Sequence, residues 1–447
     1  MLTIEMIKNC VHVHFVGIGG VSSSALAQWL FLQGKKVTGS DRAKSVYTDK
    51  LAKIGIQIAI PSGKGMLKGC DLVVTNSAIA TDNKEVELAK TLGIPVVLRG
   101  ELLGLLFDSF AKNVAVCGMH GKTTTSGMIA HCLKVAKQNP TAFVGGWCNN
   151  IGGNFVQGDG NFCVAEACEY KGNFLTMHPY IACVLNIDLD HTDFFKDVNH
   201  VKQVFLRFAQ NLKRGGVLVV NGDQKELEDF GGVTFGFDNG NHYQATNLAC
   251  NGGRYSFSVL KHGRFCCDIQ LDVHGKHNVY NALCAFATLD LLGIPRDVTR
   301  RGLQTFGGVD RRFSLSKGKT NVVVDYAHHP NEIRAFLKTI DDMGFDKKFL
   351  VFQPHTYTRT QALFDDFANV LEGDEIFVLP TFAARENKID GCDGSDLALA
   401  LKNKNKNATF CKSQKLLAKK LQKKAKVNDV VMLVGAGDVD QMKNMFD

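Results

Sequence analysis

Short apolar runs bounded by glycine and polar residues alternate along this chain with stretches whose apolar positions recur every three or four residues. The first pattern is that of buried strands and the second that of helices. The clearest strands are predicted at 11–16, 71–75, 113–117, 181–187, 216–221, 321–325, 348–352, 375–379 and 429–434. Several end at a polar or glycine-rich turn, which is where an open parallel sheet places its ligands. Two strand–glycine-loop–helix units start at residues 11 and 113, separated by a helical stretch over 101–110. Between 231 and 271, glycines and alternating apolar residues predict a small antiparallel insertion, and the strand spacing resets after Gly307-Gly308. Boundaries near residues 109 and 309 follow, giving domains over 1–108, 109–308 and 309–447. The expected fold class is α/β in three domains. A Rossmann-like amino-terminal domain precedes a central P-loop-type domain carrying the antiparallel insertion, and a Rossmann-like carboxy-terminal domain closes the chain.

Composition agrees with three domains, since 447 residues divide into about three units of ~150. With 45% hydrophobic and 21% charged residues, the chain is that of a globular protein rather than a disordered, collagen-like or disulfide-scaffold one. The 14 cysteines are scattered singly apart from Cys266-Cys267, and no Cys-x-x-Cys occurs. Free thiols in a reducing compartment are expected, and no disulfide framework or zinc site. The formal charge of +8 is concentrated in ten lysines between Lys402 and Lys426. Leu416, Leu417 and Leu421 recur there at helical spacing, so the run reads as the solvated face of an amphipathic helix. Nucleic acid is not an expected partner, because no arginine and only one aromatic residue, Phe410, falls among the lysines. No apolar run reaches the ~18 residues of a membrane helix, and the first ten residues do not resemble a secretion leader. A cytoplasmic protein with no membrane partner is expected.

Three segments carry candidate chemistry. In HFVGIGGVSSSA from residue 14, Gly17, Gly19 and Gly20 let backbone amides approach a diphosphate at a helix start, and the strand ending Gly39-Ser40-Asp41 offers an acid for a ribose or base. The third glycine of a dinucleotide loop is missing, so this turn alone does not separate NAD from another nucleotide diphosphate. The second segment, GMHGKTTT from residue 118, lies between a predicted strand and helix. Its backbone amides suit triphosphate oxygens, Lys122 the β/γ charge and the Thr123 hydroxyl a magnesium ion, although Val116 stands where the longer phosphate loop has glycine. The third is EACEY from 166 with NIDLDH from 186, where Glu166 and His191 end neighbouring strands and could hold a metal ion.

These segments and their order resemble the Mur ligase family, the ATP-dependent amide-forming enzymes of peptidoglycan synthesis. The likeness continues through SAI at 77, HGKHNVYNALCA at 274, DRRF at 310, DYAHHPNEI at 325, FQPHTYTRT at 352 and GAGD at 435. It implies an ATP- and Mg2+-dependent ligase that joins L-alanine to UDP-N-acetylmuramate through an acyl phosphate, acting as a monomer or homodimer. It also implies residue roles. Gly118, His120, Gly121, Lys122, Thr123 and Thr124 would hold the ATP phosphates, with His277, Asn278 and Asn281 near adenine, Arg312 at the γ-phosphate and Asp325 near the ribose. Thr123, Glu166 and His191 would bind metal. Gly17, Gly19, Gly20, Ser40, Asp41 and Ser77 would hold the UDP-sugar in place of NAD. Tyr326, His328, His355 and Arg359 would receive the amino acid, with His328 or His355 taking a proton from its amine. Met119 and Thr356 depart from the family pattern, standing where threonine and arginine are usual. The rival readings are a recycling ligase that attaches a preformed peptide, a nicotinamide-dependent dehydrogenase, and a non-catalytic nucleotide-binding protein.

Overall fold

The structure, a computed structural model, describes residues 3–446 except 62–65, 81, 192–193 and 385. Its strands form three sheets in chain order. The first is parallel throughout, in the spatial order Gln57–Ala59, Lys36–Ser40, His12–Val16, Leu72–Thr75 and Val96–Leu98. All five residues of His12–Val16 are buried, as expected for a central parallel strand covered on both faces. Strand order reverses at this strand, so the crevice beyond Val16 is the switch point at which such sheets bind ligands.

The second sheet has ten strands. From one edge they are Arg264–His274, Arg254–Lys261, Tyr243–Asn251, Val233–Gly236, Val217–Asn221, Ile181–Val184, Lys112–Cys117, Phe162–Glu166, Thr141–Cys148 and Gly153–Val156. Val233–Gly236 pairs parallel with Tyr243–Asn251, and the two strands after it run antiparallel. The predicted antiparallel insertion therefore extends the central sheet and does not stand apart from it. The helices Lys122–Val135 and His277–Leu291 are buried along most of their length and share one apolar core with this sheet.

The third sheet runs Ser314–Ser316, Asn321–Asp325, Val430–Val434, Lys348–Phe352, Glu375–Val378 and Ala408–Phe410, antiparallel only in its first pair. The lysine-rich segment divides between the helices Gly394–Asn403 and Gln414–Lys424 and the chain around them. In the latter helix Leu417, Ala418 and Leu421 are buried, whereas Leu416 is 69% exposed, so its apolar stripe is narrower than the leucine spacing suggests.

Strand 181–187 of the sequence reading ends at Val184. Its continuation, Leu185 to His191, leaves the sheet and runs along the cleft between the central and third domains, where several side chains described below meet. All 14 cysteines are free thiols, and among the described residues no helix is long and apolar enough to cross a membrane.

Candidate active site

The phosphate loop is shaped by two glycines that no larger residue could replace without strain. Gly118 has φ 136° and Gly121 has φ 85°, a region that side chains rarely adopt. A Cβ on Gly121 would also lie 2.4 Å from Asn281 Oδ1, so the loop sits directly on the His277–Leu291 helix. Met119 is buried, its amide donating to the Asn186 carbonyl; the departure from threonine leaves the backbone path of the loop to its glycines. The Asn186 amide closes the other side, accepting from His120 N at 2.8 Å and donating to His120 O at 2.9 Å.

Lys122 opens the following helix. Its ammonium donates to Gly118 O at 2.5 Å and Met119 O at 3.2 Å, and pairs with Glu169 at 2.9 Å. Burial alone would lower its pKa, but the Glu169 and Glu166 carboxylates raise it above the ordinary lysine value, so the cation persists at neutral pH. Glu169 was not singled out from the sequence, although it lies within EACEY. Its carboxyl is kept below the usual range against the opposing effect of burial, by Lys122 and His191.

Thr123 Oγ1 donates to Glu166 Oε2 at 2.8 Å. Gly145 makes room for that carboxylate, since a Cβ there would lie 2.0 Å from Glu166 Oε2. A hydroxyl beside a carboxylate is the all-oxygen donor set that suits a hard dication. Buried Glu169 Oε2 lacks a hydrogen-bond partner of acceptable geometry and adds a third oxygen facing the loop. The His191 ring lies 4.7 Å from Tyr170, tilted by 38°, with Nε2 3.6 Å from Glu169 Oε1. The structure thus pairs His191 with Glu169, whereas Thr123 pairs with Glu166.

Two cavities flank the Thr123–Glu166 pair, Glu166 lining one and Thr123 the other. The larger, about 960 Å³, is lined by Gly17, Gly19, Gly20, Ser40, Asp41 and Ser77 from the first domain, by Glu166 and Cys168 from the second, and by Phe382 and Ala384 from the third. The Asp41 carboxylate is already engaged, accepting from Gly19 N at 2.8 Å and Arg42 N at 2.7 Å; it shapes the glycine turn. The second cavity, about 320 Å³, gathers His120, Gly121, Thr123, Thr124, His277, Asn278, Asn281, Arg312 and Asp325. Asn281 Nδ2 donates to Asn278 Oδ1 at 2.8 Å. Burial raises the Asp325 carboxyl to about 6 despite the nearby Arg312 and its own acceptance of the Phe313 and Ala327 amides. Gly118 and Lys122 stand behind this cavity, not in its lining.

The third domain supplies a further cluster. Arg311 and Arg312 lie 4.7 and 4.9 Å from the centre of the Tyr326 ring, His328 is 5.3 Å from Tyr326, and His355 is 6.0 Å from His328. Arg359 places Nη1 3.1 Å from His355 Nδ1 and pairs with Asp190 of the second domain at 2.9 Å. Asp190 was also not nominated from the sequence. Burial would raise its pKa, yet Arg359 and the neighbouring imidazoles hold it far below the carboxylate range. Glu332 is a third such residue, its side chain 12% exposed and its carboxyl held ionised. It lies 3.1 Å from His120 Nδ1, 3.2 Å from His328 Nδ1 and 3.7 Å from Arg312. Thr356 adopts φ 64°, unusual for a β-branched residue, and its amide donates to Phe382 O at 2.9 Å.

Burial depresses His328 and His277 to about 4 and His355 to about 3, so all three are neutral at pH 7. This sets a pH dependence of stability. Between about 4 and 6.5 the unfolded chain binds protons that these histidines refuse, so stability falls as pH drops through that window. Asp325, raised to about 6, acts oppositely there but is one group against three. His120, which Glu332 and Asp188 lift to about 9 against its burial, contributes stability that is lost as pH rises from 6.5 through 9. Melting temperature should therefore peak near neutrality. A melting temperature that keeps rising as the pH is lowered to 5 would contradict the assignment of neutral histidines.

Family models match in the order of the three sheets. They are described as "Mur ligase family, catalytic domain" over residues 12–111, "Mur ligase middle domain" over 116–289 and "Mur ligase, glutamate ligase domain" over 311–437. The UDP-N-acetylmuramate–L-alanine ligase of Agathobacter rectalis is 40% identical over 445 residues, covering 96% of each chain. That of Clostridium tetani is 38% identical over 455 residues, covering 100% of each. Among solved structures, the UDP-N-acetylmuramate–alanine ligase of Thermotoga maritima has a TM-score of 0.85 at 30% identity, covering 97% of this chain and 98% of that one. A murein peptide ligase of Psychrobacter arcticus shares the fold with a TM-score of 0.74 at 21% identity, covering 98% of each chain.

Proposed function

Because this chain belongs to the Mur ligase family, we propose that it uses ATP to join L-alanine to the carboxylate of UDP-N-acetylmuramate in peptidoglycan precursor synthesis. Identity of about 40% to L-alanine ligases over nearly the whole chain supports the substrate pair. The observation that carries the chemistry is the Thr123–Glu166 hydrogen bond. It joins the wall of the first-domain cavity to the phosphate loop, so an acid held in one cavity and a triphosphate held in the other would meet there.

A carboxylate is a poor acyl donor at neutral pH, and phosphorylation corrects this. In the first step a muramate carboxylate oxygen attacks the γ-phosphorus, and the bond to the β–γ bridging oxygen breaks, releasing ADP. Such transfer depends on alignment and charge neutralisation more than on covalent help. Lys122 and Arg312 are the cations assigned to it. Lys122 must exchange its carbonyl and Glu169 partners for phosphate oxygens, a short movement for a side chain already at the loop. Mg2+, held through Thr123 and Glu166 and in the neighbourhood of Glu169 and His191, would supply further neutralisation of phosphate charge. Gly118, His120, Gly121 and Thr124 would cradle the phosphates, with His277, Asn278 and Asn281 on the adenine side and Asp325 at the ribose. The UDP-sugar would occupy the cavity of Gly17, Gly19, Gly20, Ser40 and Ser77, with Asp41 fixing its turn.

In the second step the amine nitrogen attacks the acyl carbon, and the tetrahedral intermediate expels phosphate. Arg359 would hold the amino-acid carboxylate beside Tyr326, and neutral His328 or His355 would accept the proton the amine loses. Because these groups and the phosphate loop come from different domains, catalysis requires the third domain to stay closed on the second, as the Arg359–Asp190 pair holds it. The test is phosphate release with ATP and UDP-N-acetylmuramate across L-alanine, glycine, L-serine and a tripeptide. Turnover highest with L-alanine is expected; turnover with the tripeptide alone would make this the recycling enzyme.

A further inference from the structure

The loop histidine that packs against the third domain has partners unlike those of a phosphate contact. His120 Nε2 lies 3.2 Å from Asp188 Oδ2, and His329 Nδ1 lies 3.6 Å from the same oxygen. The three ligand atoms all fall within 4.8 Å of one another, and the two rings are 5.2 Å apart, tilted by 40°. A tetrahedral dication with bonds of ~2.0–2.1 Å to nitrogen and oxygen needs its donors about 3.3–3.4 Å apart, close to the 3.2 and 3.6 Å of the two contacts to Asp188. The atoms next to the ligands fit as well. His329 Nε2 lies 3.2 Å from the Leu189 carbonyl, which can only accept, so that nitrogen carries the hydrogen. The lone pair is thereby left on Nδ1, which faces Asp188 and caps the helix by accepting the Asn331 amide at 3.3 Å, a hydrogen bond that a bound metal must displace. His120 Nδ1 faces the Glu332 carboxylate at 3.1 Å and Nε2 faces Asp188, so a metal must displace the Nε2 proton while Nδ1–H keeps its carboxylate. A carbonyl and a carboxylate on the far nitrogens are the partners that orient metal-bound imidazoles.

We propose that His120, Asp188 and His329 form a site for a borderline transition-metal dication such as Zn2+, separate from the oxygen-rich Thr123–Glu166 pair. Two imidazoles and one carboxylate favour such an ion over Mg2+. His120 belongs to the phosphate loop and Asp188 to the segment after Val184, whereas His329 caps the third-domain helix Pro330–Asp341. An ion there ties the third domain to the loop. His120 and Asp188 also line the 320 Å³ cleft, so occupancy stands in the way of the nucleotide. That consequence rests on the ATP reading; the binding itself does not.

The test is a calorimetric titration of Zn2+ into the full chain without nucleotide, with Co2+ as a visible-absorbing substitute. The variant is His329→Ser, which removes the imidazole while serine can still cap the helix. Wild type should bind one Zn2+ and give the absorption of tetrahedral cobalt. The variant should lose that absorption and weaken Zn2+ binding by at least the roughly 10–100-fold seen when a supporting residue is lost. It should also keep its Mg2+-dependent turnover while escaping inhibition by Zn2+. Equal Zn2+ affinity and an unchanged cobalt spectrum in His329→Ser would overturn the proposal, as would wild-type protein that binds neither ion.

Discussion

Lys122→Ala should lower kcat by about 10³-fold, or about 4 kcal/mol of transition-state stabilisation, the scale of losing one preorganised charge partner. The side chain is 12% exposed and sits where the loop carbonyls and Glu169 hold it charged, so water cannot substitute for it. Removing it has a second effect. Glu169, 2% exposed, loses its main cation, and breaking a buried pair from one side costs about 3–5 kcal/mol of stability. The two effects are separable. Adding Glu169→Gln to the alanine variant should restore much of the melting temperature while leaving kcat low. Full activity in Lys122→Ala would contradict the assignment of the phosphate loop.

The other large effect is expected at Arg359. Its guanidinium is 11% exposed and spans His355 and Asp190. With Thr356 where an arginine is usual, it is the cation assigned to the amino-acid carboxylate. Arg359→Ala should raise KM for L-alanine roughly 100-fold, about 2.7 kcal/mol, within the range for truncating one side of a desolvated charge pair. KM for ATP should change far less. Part of any loss would come from the domain contact, which Asp190→Asn weakens without removing the guanidinium. The alanine KM should therefore rise more in Arg359→Ala than in Asp190→Asn. Equal shifts in the two would reduce Arg359 to a tether between domains.

Much of this architecture was legible in the sequence because parallel strands covered on both faces are written as continuous apolar runs. His12–Val16 and Lys112–Cys117 each end at a glycine turn, and there the sequence names both strand and site. The join between the antiparallel strands and the central sheet was not legible, since only pairing with Val233–Gly236 decides it. The carboxylates at 169, 190 and 332 were hidden for a related reason. Glu332 falls in the first turn of a helix, where an acid already has a local explanation in the helix dipole. Its contact with His120 arises only when the third domain folds over the second, and Arg312 stands twenty residues before it in sequence. Glu169 and Asp190 stand in motifs whose other residues drew attention, and their partners Lys122 and Arg359 are distant in sequence. Glu166 and His191 were expected at the ends of neighbouring strands, but Lys112–Cys117 lies between those strands and His191 falls seven residues beyond Val184; the contacts of His191 with Tyr170 and Glu169 were not legible.

The central claim is that the two cavities hold an acid and the triphosphate that activates it, so one carboxylate oxygen must leave with the phosphate. UDP-N-acetylmuramate labelled with ¹⁸O in its carboxylate, incubated with ATP and L-alanine, tests this directly. Mass spectrometry of the released phosphate should find one labelled oxygen in each ion formed from doubly labelled acid. Phosphate free of label alongside amide product would contradict the account.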